Sequence, residues 1–413
     1  MVHIQPFRGV RPRRDLAGLV AAPPYDVLTS EEARELAAGN PYSFLHVGKP
    51  EIDLPPGTDL YADEVYAKGK ENFDRFLRDG VLAQDKTRDF YVYKQIWGDH
   101  VQVGLVAAAS CQDYLDGVIK KHELTRVDKE NDRMRHIETL GAQTGPVFLT
   151  YRRDDAVDAL VAEAAAKGPE VDITTYDGVR HIVTVVDDPG LVERIRTAFT
   201  RLPCLYVADG HHRSAAATRI KVKRDRERAG RTGREEDNFF LAVIFPDTQM
   251  KILPYNRVVR DLNGLDAQTF LAKVRGVFEI VPDAPKTPAR SRSYAMYLEG
   301  RWYGLTAKPG TFDPADPIGS LDVSILQKNL LAPVLGIADP RTDKRIDFVG
   351  GIRGTAELEK KVDAGGFRVA FSFFPTTIQQ LFAVADAGKV MPPKSTWFEP
   401  KLKDGLVVHM IDE

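Results

Sequence analysis

Cysteine is nearly missing from this chain: Cys111 and Cys204 are the only two in 413 residues. They form no metal-spaced pair and no disulfide framework, which suits a reducing cytoplasm. No run approaches the ~18 consecutive apolar residues of a membrane span. The opening segment, MVHIQPFRGVRPRRDL, has no apolar core of the kind a signal peptide carries. Charge of one sign is missing too. With 57 Lys+Arg against 59 Asp+Glu the formal net charge is −2, which argues against a protein that coats nucleic acid. No P-loop, Rossmann glycine run, HExxH or GxSxG is present, and no internal repeat or low-complexity tract. What remains is a cytoplasmic multidomain protein with no membrane partner. At this length two or three domains are expected.

Strand-like and helix-like segments alternate along the chain, which predicts a mixed α/β (α+β) fold. Ile4 to Val10 reads as one short strand. Thr29 and Glu32 have capping-box spacing for a helix ending near Gly39. Asp59 to Leu77 is a second helix, and DFYVYKQIWGDHVQVGLVAAAS predicts a hairpin around Gly98-Asp99. GVIKKHELTRVDKENDRMRHIETLG starts as a strand and becomes a charged helix stopping at Gly141. GPVFLTY is a buried strand, EVDITTYDGVRHIVTVVDD a hairpin, and FFLAVIFPDTQMKILPYN a closing hairpin. Beyond Asn256, AQTFLAKVRGVFEIV is helix then strand and SYAMYLEGRWYGLTAK a hairpin across Glu299-Gly300.

The densest chemistry lies in LYVADGHHRSAAATRI, Leu205 to Ile220. A buried strand feeding Gly210 and then a helix is a natural anion site, because the first helical N–H groups point outward. His211, His212 and Arg213 put up to three cations into the first turn, where they are unfavourable unless an anion offsets them. Asp209 faces the same place, available for a divalent cation or as a base. The plainer alternative is an N-capping aspartate with two exposed histidines. Zinc held by His211 and His212 is not expected, since adjacent helical residues do not face one way.

A second constellation is VIKKHELTRVDKENDRMRH. Lys121, His122, Glu123, Thr125, Arg126 and Arg133 crowd the start of a helix. A solvated helix face would look similar, but His122-Glu123 follows an apolar strand end, a position that suits a carboxylate base aimed into a cleft.

An HE just after a strand, with a downstream DGHHR at a strand-to-helix turn, resembles the ParB/sulfiredoxin-like superfamily, and within it the free-serine kinase branch. The resemblance implies a ParB/sulfiredoxin-like α/β core over residues 113–255, with additional α+β regions at 1–112 and 256–413. It implies transfer of the γ-phosphoryl group of ATP or another nucleotide, with Mg²⁺, to a metabolite hydroxyl, free L-serine first. Carried onto this sequence, Glu123 is the base, His122 helps position the acceptor, and Asp209 serves the metal or the acceptor. Gly210, His211, His212, Arg213 and Ser214 hold phosphates. Lys121, Thr125, Arg126 and Arg133 line the substrate side. Over its full length the chain also resembles domain-of-unknown-function family 1015, through APPYDVLT, KKHELT, ADGHHR, LDVSILQKNLLAPVLGI and MPPKSTWFEPKL.

Two other functions stay open: a ParB-like nucleotide-binding switch or partner-docking protein without metabolite chemistry, and a phosphatase or phosphotransferase acting on phosphoserine. The expected partners are a nucleotide and a small molecule, with a homodimer as the assembly to test. Nucleic acid is not expected, because Asp225, Glu227, Glu235 and Glu236 dilute the basic stretch from Arg219 to Glu235. NLLAPVLGI is read as core. MPPKSTWFEPK, with Lys394, Ser395, Thr396 and Lys401, and PPYDV, with Tyr25 and Asp26, either contact ligand or merely build loops.

Overall fold

The computed structural model describes residues 1–227 and 230–412, and its contacts group into two units. The first is Met1–Met250 with Pro400–Glu413; the second is Lys251–Glu399. The fold is mixed α/β, as the alternating pattern predicts.

The first unit is built on a nine-stranded sheet. Its order is Ile119–Lys120, Leu205–Asp209, Val147–Tyr151, Phe239–Pro246, His100–Ser110, Phe90–Trp97, Arg180–Val186, Val171–Thr174, with Ile4–Gln5 added beside the end of 100–110. Pairing is mostly antiparallel. The strand pairs 119–120 with 205–209 and 147–151 with 239–246 are parallel. Alternate residues of the central strands, Leu105, Ala107, Ala109, Val147, Leu149 and Tyr151, share one core. The helices Asp155–Ala165 and Pro189–Phe199 contribute Val157, Val161, Ile195 and Phe199 to it. A second core gathers Val10, Phe44, Phe73, Phe76, Leu82, Leu140 and Val408, each large side chain stabilising the fold by about 1.5–3 kcal/mol.

Local signals set several boundaries. Thr29 and Glu32 form the capping box that starts the helix Ser30–Ala37. The helix Val127–Leu140 stops where Gly141 takes φ +67°, a left-handed cap. The hairpin of 90–97 with 100–110 forms as predicted. Two expectations fail. Ile4 to Val10 is not one strand but Ile4–Gln5 and Val10–Pro12; Pro6 has no N–H to continue the ladder. Residues 239–256 do not close a hairpin. The 239–246 strand is flanked on both sides, by 100–110 and by 147–151, so no edge is left for Lys251–Leu253, which pairs with Trp397–Glu399.

The second unit carries a six-stranded antiparallel sheet in the order 278–282, 301–307, 293–298, 369–373, 255–259, 346–350. Leu330, Leu331 and Leu335 are buried, as expected of core leucines. The basic stretch from Arg219 enters the helix His211–Glu227; residues 228 and 229 of that stretch lie outside the described residues.

The terminal residues of the first unit are tied to it repeatedly. His409–Met410 pairs with Ala142–Gln143, Asp404 with Ala22, and Val408 with Val10. Lys403 Nζ meets Asp177 at 2.6 Å and His409 Nε2 meets Glu236 at 2.7 Å.

Candidate active site

The strands ending in the two motifs lie side by side and parallel, Leu205 opposite Ile119 and Tyr206 opposite Lys120. Both segments therefore leave the sheet at the carboxyl ends of their strands, the end at which ligands bind in open α/β sheets. After one strand come His122 and Glu123; after the other, Gly210 and the helix His211–Glu227. Gly210 makes the turn at φ +91°, a conformation side chains rarely adopt.

This geometry joins the motifs directly. The rings of His122 and His211 meet edge to face with centroids 4.5 Å apart, and His211 Nδ1 lies 4.0 Å from the half-exposed Glu123 carboxylate. His212 Nε2 accepts a hydrogen bond from the Arg126 N–H at 3.1 Å. The N–H groups of Arg213 and Ser214 donate to the Gly210 carbonyl, while those of His211 and His212 precede the first helical bonds.

Charge in the turn differs from the sequence expectation of up to three cations. His122 and His211 are almost fully buried. Burial pushes the His122 pKa down to about 4. Burial, reinforced by His122, holds His211 well below the ordinary imidazole value. Burial lowers His212 as well. Arg213 is thus the turn's standing cation. Burial opposes its charge, but Asp26, Asp209 and Asp404 outweigh burial and raise its pKa.

Asp209 has a partner from outside the DGHHR and HE motifs, in the MPPKSTWFEPKL signature. Lys401 Nζ lies 2.9 Å from its Oδ2, and its Oδ1 accepts the Gly210 N–H at 2.8 Å. Burial works against the carboxylate, yet Lys401 and Arg213 hold its pKa far below the usual range. The Lys401 carbonyl is fixed in turn by Gln95 Nε2 at 3.0 Å.

The remaining sequence candidates are spread around this centre. Ser214 is buried and its hydroxyl donates to the His211 carbonyl at 3.1 Å, back into the helix. Thr125 hydrogen-bonds Glu130, which also pairs with Arg219. The exposed Arg126 pairs with Asp128 at 2.7 Å. The ammonium of Lys121 sits over the Tyr114 ring. Arg133 is enclosed, paired with Asp132 at 2.8 Å and stacked 3.9 Å over Tyr25. Tyr25 of PPYDV thus builds the wall behind Arg133, and Asp26 acts electrostatically on Arg213.

Sequence reasoning missed Asp404, which no motif signals. It lines a small cavity with Tyr25, Arg133, His136, Gln143, Gly145 and Arg213. The cavity encloses about 20 Å³, room for one water and not for a nucleotide. Asp404 Oδ1 and Arg213 Nε are both buried there without a hydrogen-bond partner. Burial pushes the Asp404 pKa up to about 7, with Arg213 opposing.

The family model described as "Protein of unknown function (DUF1015)" matches residues 4–324. The chain belongs to the DUF1015 family. A search of curated proteins finds no match to this DUF1015 chain. Among solved structures it is similar to a conserved hypothetical protein from Pyrococcus furiosus, at 14% identity, 75% of this chain, 96% of that one and a TM-score of 0.36. It is similar to a free serine kinase in complex with AMP, at 11% identity, 73% and 91% coverage and a TM-score of 0.34. It is also similar to SbnI from Staphylococcus aureus, at 12% identity, 72% and 85% coverage and a TM-score of 0.38. At such scores the likeness carries no conclusion about the chemistry of the DUF1015 chain. Among its described residues no helix is long and apolar enough to cross a membrane.

Proposed function

We propose that the chain is a nucleotide-dependent phosphotransferase that moves a γ-phosphoryl group onto the hydroxyl of a small metabolite, with free L-serine the first candidate. The observation that carries this reading is the convergence of Glu123 and the Gly210 turn at one sheet edge, through the parallel pairing of 119–120 with 205–209.

The residues present fit a nucleotide with Mg²⁺. The turn offers the N–H groups of His211 and His212 ahead of the first helical bonds, a glycine that lets a phosphate approach, and the buried positive charge of Arg213 behind them. Asp209 is held ionised, as a Mg²⁺ ligand must be. A bound Mg²⁺–nucleotide would supply the phosphoryl group and neutralise its charge, most of what phosphoryl transfer demands. Glu123, half-exposed beside the turn, accepts the acceptor's proton. His211 and His212, neutral at pH 7, act as hydrogen-bonding groups, not as cations. Lys401 exchanges its bond to Asp209 for one to a phosphate oxygen, which frees the Asp209 carboxylate for Mg²⁺. Lys121, Thr125, Arg126 and Arg133 shape the acceptor side, Arg133 from behind.

The test is ³¹P NMR of the full chain with Mg²⁺, a nucleotide panel and free amino acids. A new phosphomonoester signal that needs L-serine and disappears in Glu123→Gln, with nucleotide affinity retained, is expected. Phosphoserine with a nucleoside diphosphate in a parallel tube tests the reverse reaction. Silence in both tubes with nucleotide still bound would overturn the kinase reading in favour of a binding switch.

A further inference from the structure

Three donor groups at this end of the sheet, His122, Glu123 and His211, are close enough to act together in a way that the proposed phosphotransfer does not require. One ligand atom from each of His122, Glu123 and His211 can be chosen so that all three lie within 4.8 Å of one another. Tetrahedral Zn²⁺ with nitrogen and oxygen ligands needs about 3.3 Å between them, a closure of about 1.5 Å at most. One of the three, Glu123, is the half-exposed member.

The imidazoles are the unusual part. Both ring nitrogens of His122 and Nε2 of His211 are buried without a hydrogen-bond partner. The Val207 carbonyl acts on His122 but lies outside hydrogen-bond geometry. A buried polar atom left without a partner is costly, so three in one contact pair call for a ligand. Both rings are held by the scaffold, His122 just past a strand end and His211 in the first turn of a 17-residue helix. Glu123 is half-exposed, so water can reach the site as fourth ligand, as in zinc sites with three protein ligands.

We infer that His122, Glu123 and His211 form a three-ligand site for a borderline divalent cation, Zn²⁺ in the first instance, and that filling it takes Glu123 out of service as a base. Two imidazoles and one carboxylate select Zn²⁺, Co²⁺ or Fe²⁺ over Mg²⁺, which demands oxygen ligands. The site is therefore distinct from the Mg²⁺–nucleotide position at Asp209. Binding stands on the geometry alone; the silencing rests on the kinase reading of Glu123.

The experiment titrates Co²⁺ into the full chain, free of nucleotide and in excess Mg²⁺, and follows the visible absorption of tetrahedral Co²⁺. One equivalent is expected to bind, to be displaced by Zn²⁺, and to be lost in His211→Ala. Because a buried histidine variant can fail to fold, Glu123→Gln is the second probe, with affinity expected to fall by at least about tenfold. No saturable binding, or binding unchanged in Glu123→Gln, would overturn the site. One equivalent of Zn²⁺ is expected to stop serine phosphorylation, with recovery on chelation. Full turnover with Zn²⁺ bound would overturn the silencing. A chain that binds Co²⁺ and never transfers phosphate would overturn the kinase reading and leave the metal site standing. Transfer without Co²⁺ binding would do the reverse.

Discussion

Lys401 and Asp209 stand 192 residues apart in the chain and 2.9 Å apart in space. The lysine comes from the segment beyond the second unit, the aspartate from the strand that begins the DGHHR turn. The pair neutralises the one carboxylate in that turn and places a primary ammonium where phosphate is proposed to bind.

Lys401→Met is expected to lower stability by about 1–2 kcal/mol, between the values of exposed and buried ion pairs, since both groups are partly exposed. It is also expected to weaken nucleotide binding at least about tenfold, the loss of one charge-assisted hydrogen bond. Urea denaturation and equilibrium binding separate the effects. Unchanged affinity would leave Lys401 a structural tie only.

Gly210→Ala places a Cβ at φ +91°, 3.1 Å from Arg213 Nε. The backbone strain predicts a loss of about 1–2 kcal/mol. Displacement of Arg213 predicts weaker nucleotide binding in addition. A variant with native stability and native affinity would show that the turn tolerates a side chain and is not built for close approach.

Asp404 ties stability to pH. Burial holds its carboxyl at about 7 in the folded chain, against about 3.9 unfolded. Between these values the folded state keeps a proton that the unfolded state releases. The contribution is full below pH 4, falls as pH rises, and is gone above 7, a difference of about 4 kcal/mol. Asp404→Asn is expected to remove this slope and to be more stable than the parent at pH 8. Urea denaturation across pH checks it; parallel profiles for the two proteins would contradict it.

His122 carries the opposite slope. Burial holds its folded pKa at about 4, below the unfolded value of about 6.5. Its contribution is present above pH 6.5 and lost as pH falls toward 4, about 3 kcal/mol in all. Imidazole NMR of the metal-free chain should find His122 neutral at pH 6; titration near 6.5 would show a solvated ring. Because Asp404 and His122 oppose each other between pH 4 and 7, the parent's stability should vary less across that range than that of Asp404→Asn.

Local chemistry made much of this fold legible. Thr29 with Glu32 and the Gly141 stop each act within a few residues, and the strand–Gly210–helix pattern needs no distant partner. The 239–256 segment does not form the predicted hairpin, because alternation cannot reveal that both edges of 239–246 are claimed by strands far away in sequence. The site divides the same way. Motif spacing pointed to Glu123 and Asp209, but the charge state of His211 depends on burial under the rest of the fold. Lys401 looked like one of several loop residues, and only its Gln95 and Asp209 contacts single it out.

The interruption of the first unit by Lys251–Glu399 has a consequence for synthesis. A ribosome releases Asp209, His211 and Arg213 long before Lys401, Asp404 or Val408. Until then Asp209 lacks Lys401 and Arg213 lacks Asp404, and the core around Phe44 and Phe73 is missing its contact with Val408. The whole intervening unit can fold during that wait. The nascent chain thus passes through a stage in which the DGHHR turn is made but Lys401 has not yet reached Asp209, and the candidate site is assembled only when residues 400–412 join the rest of the first unit.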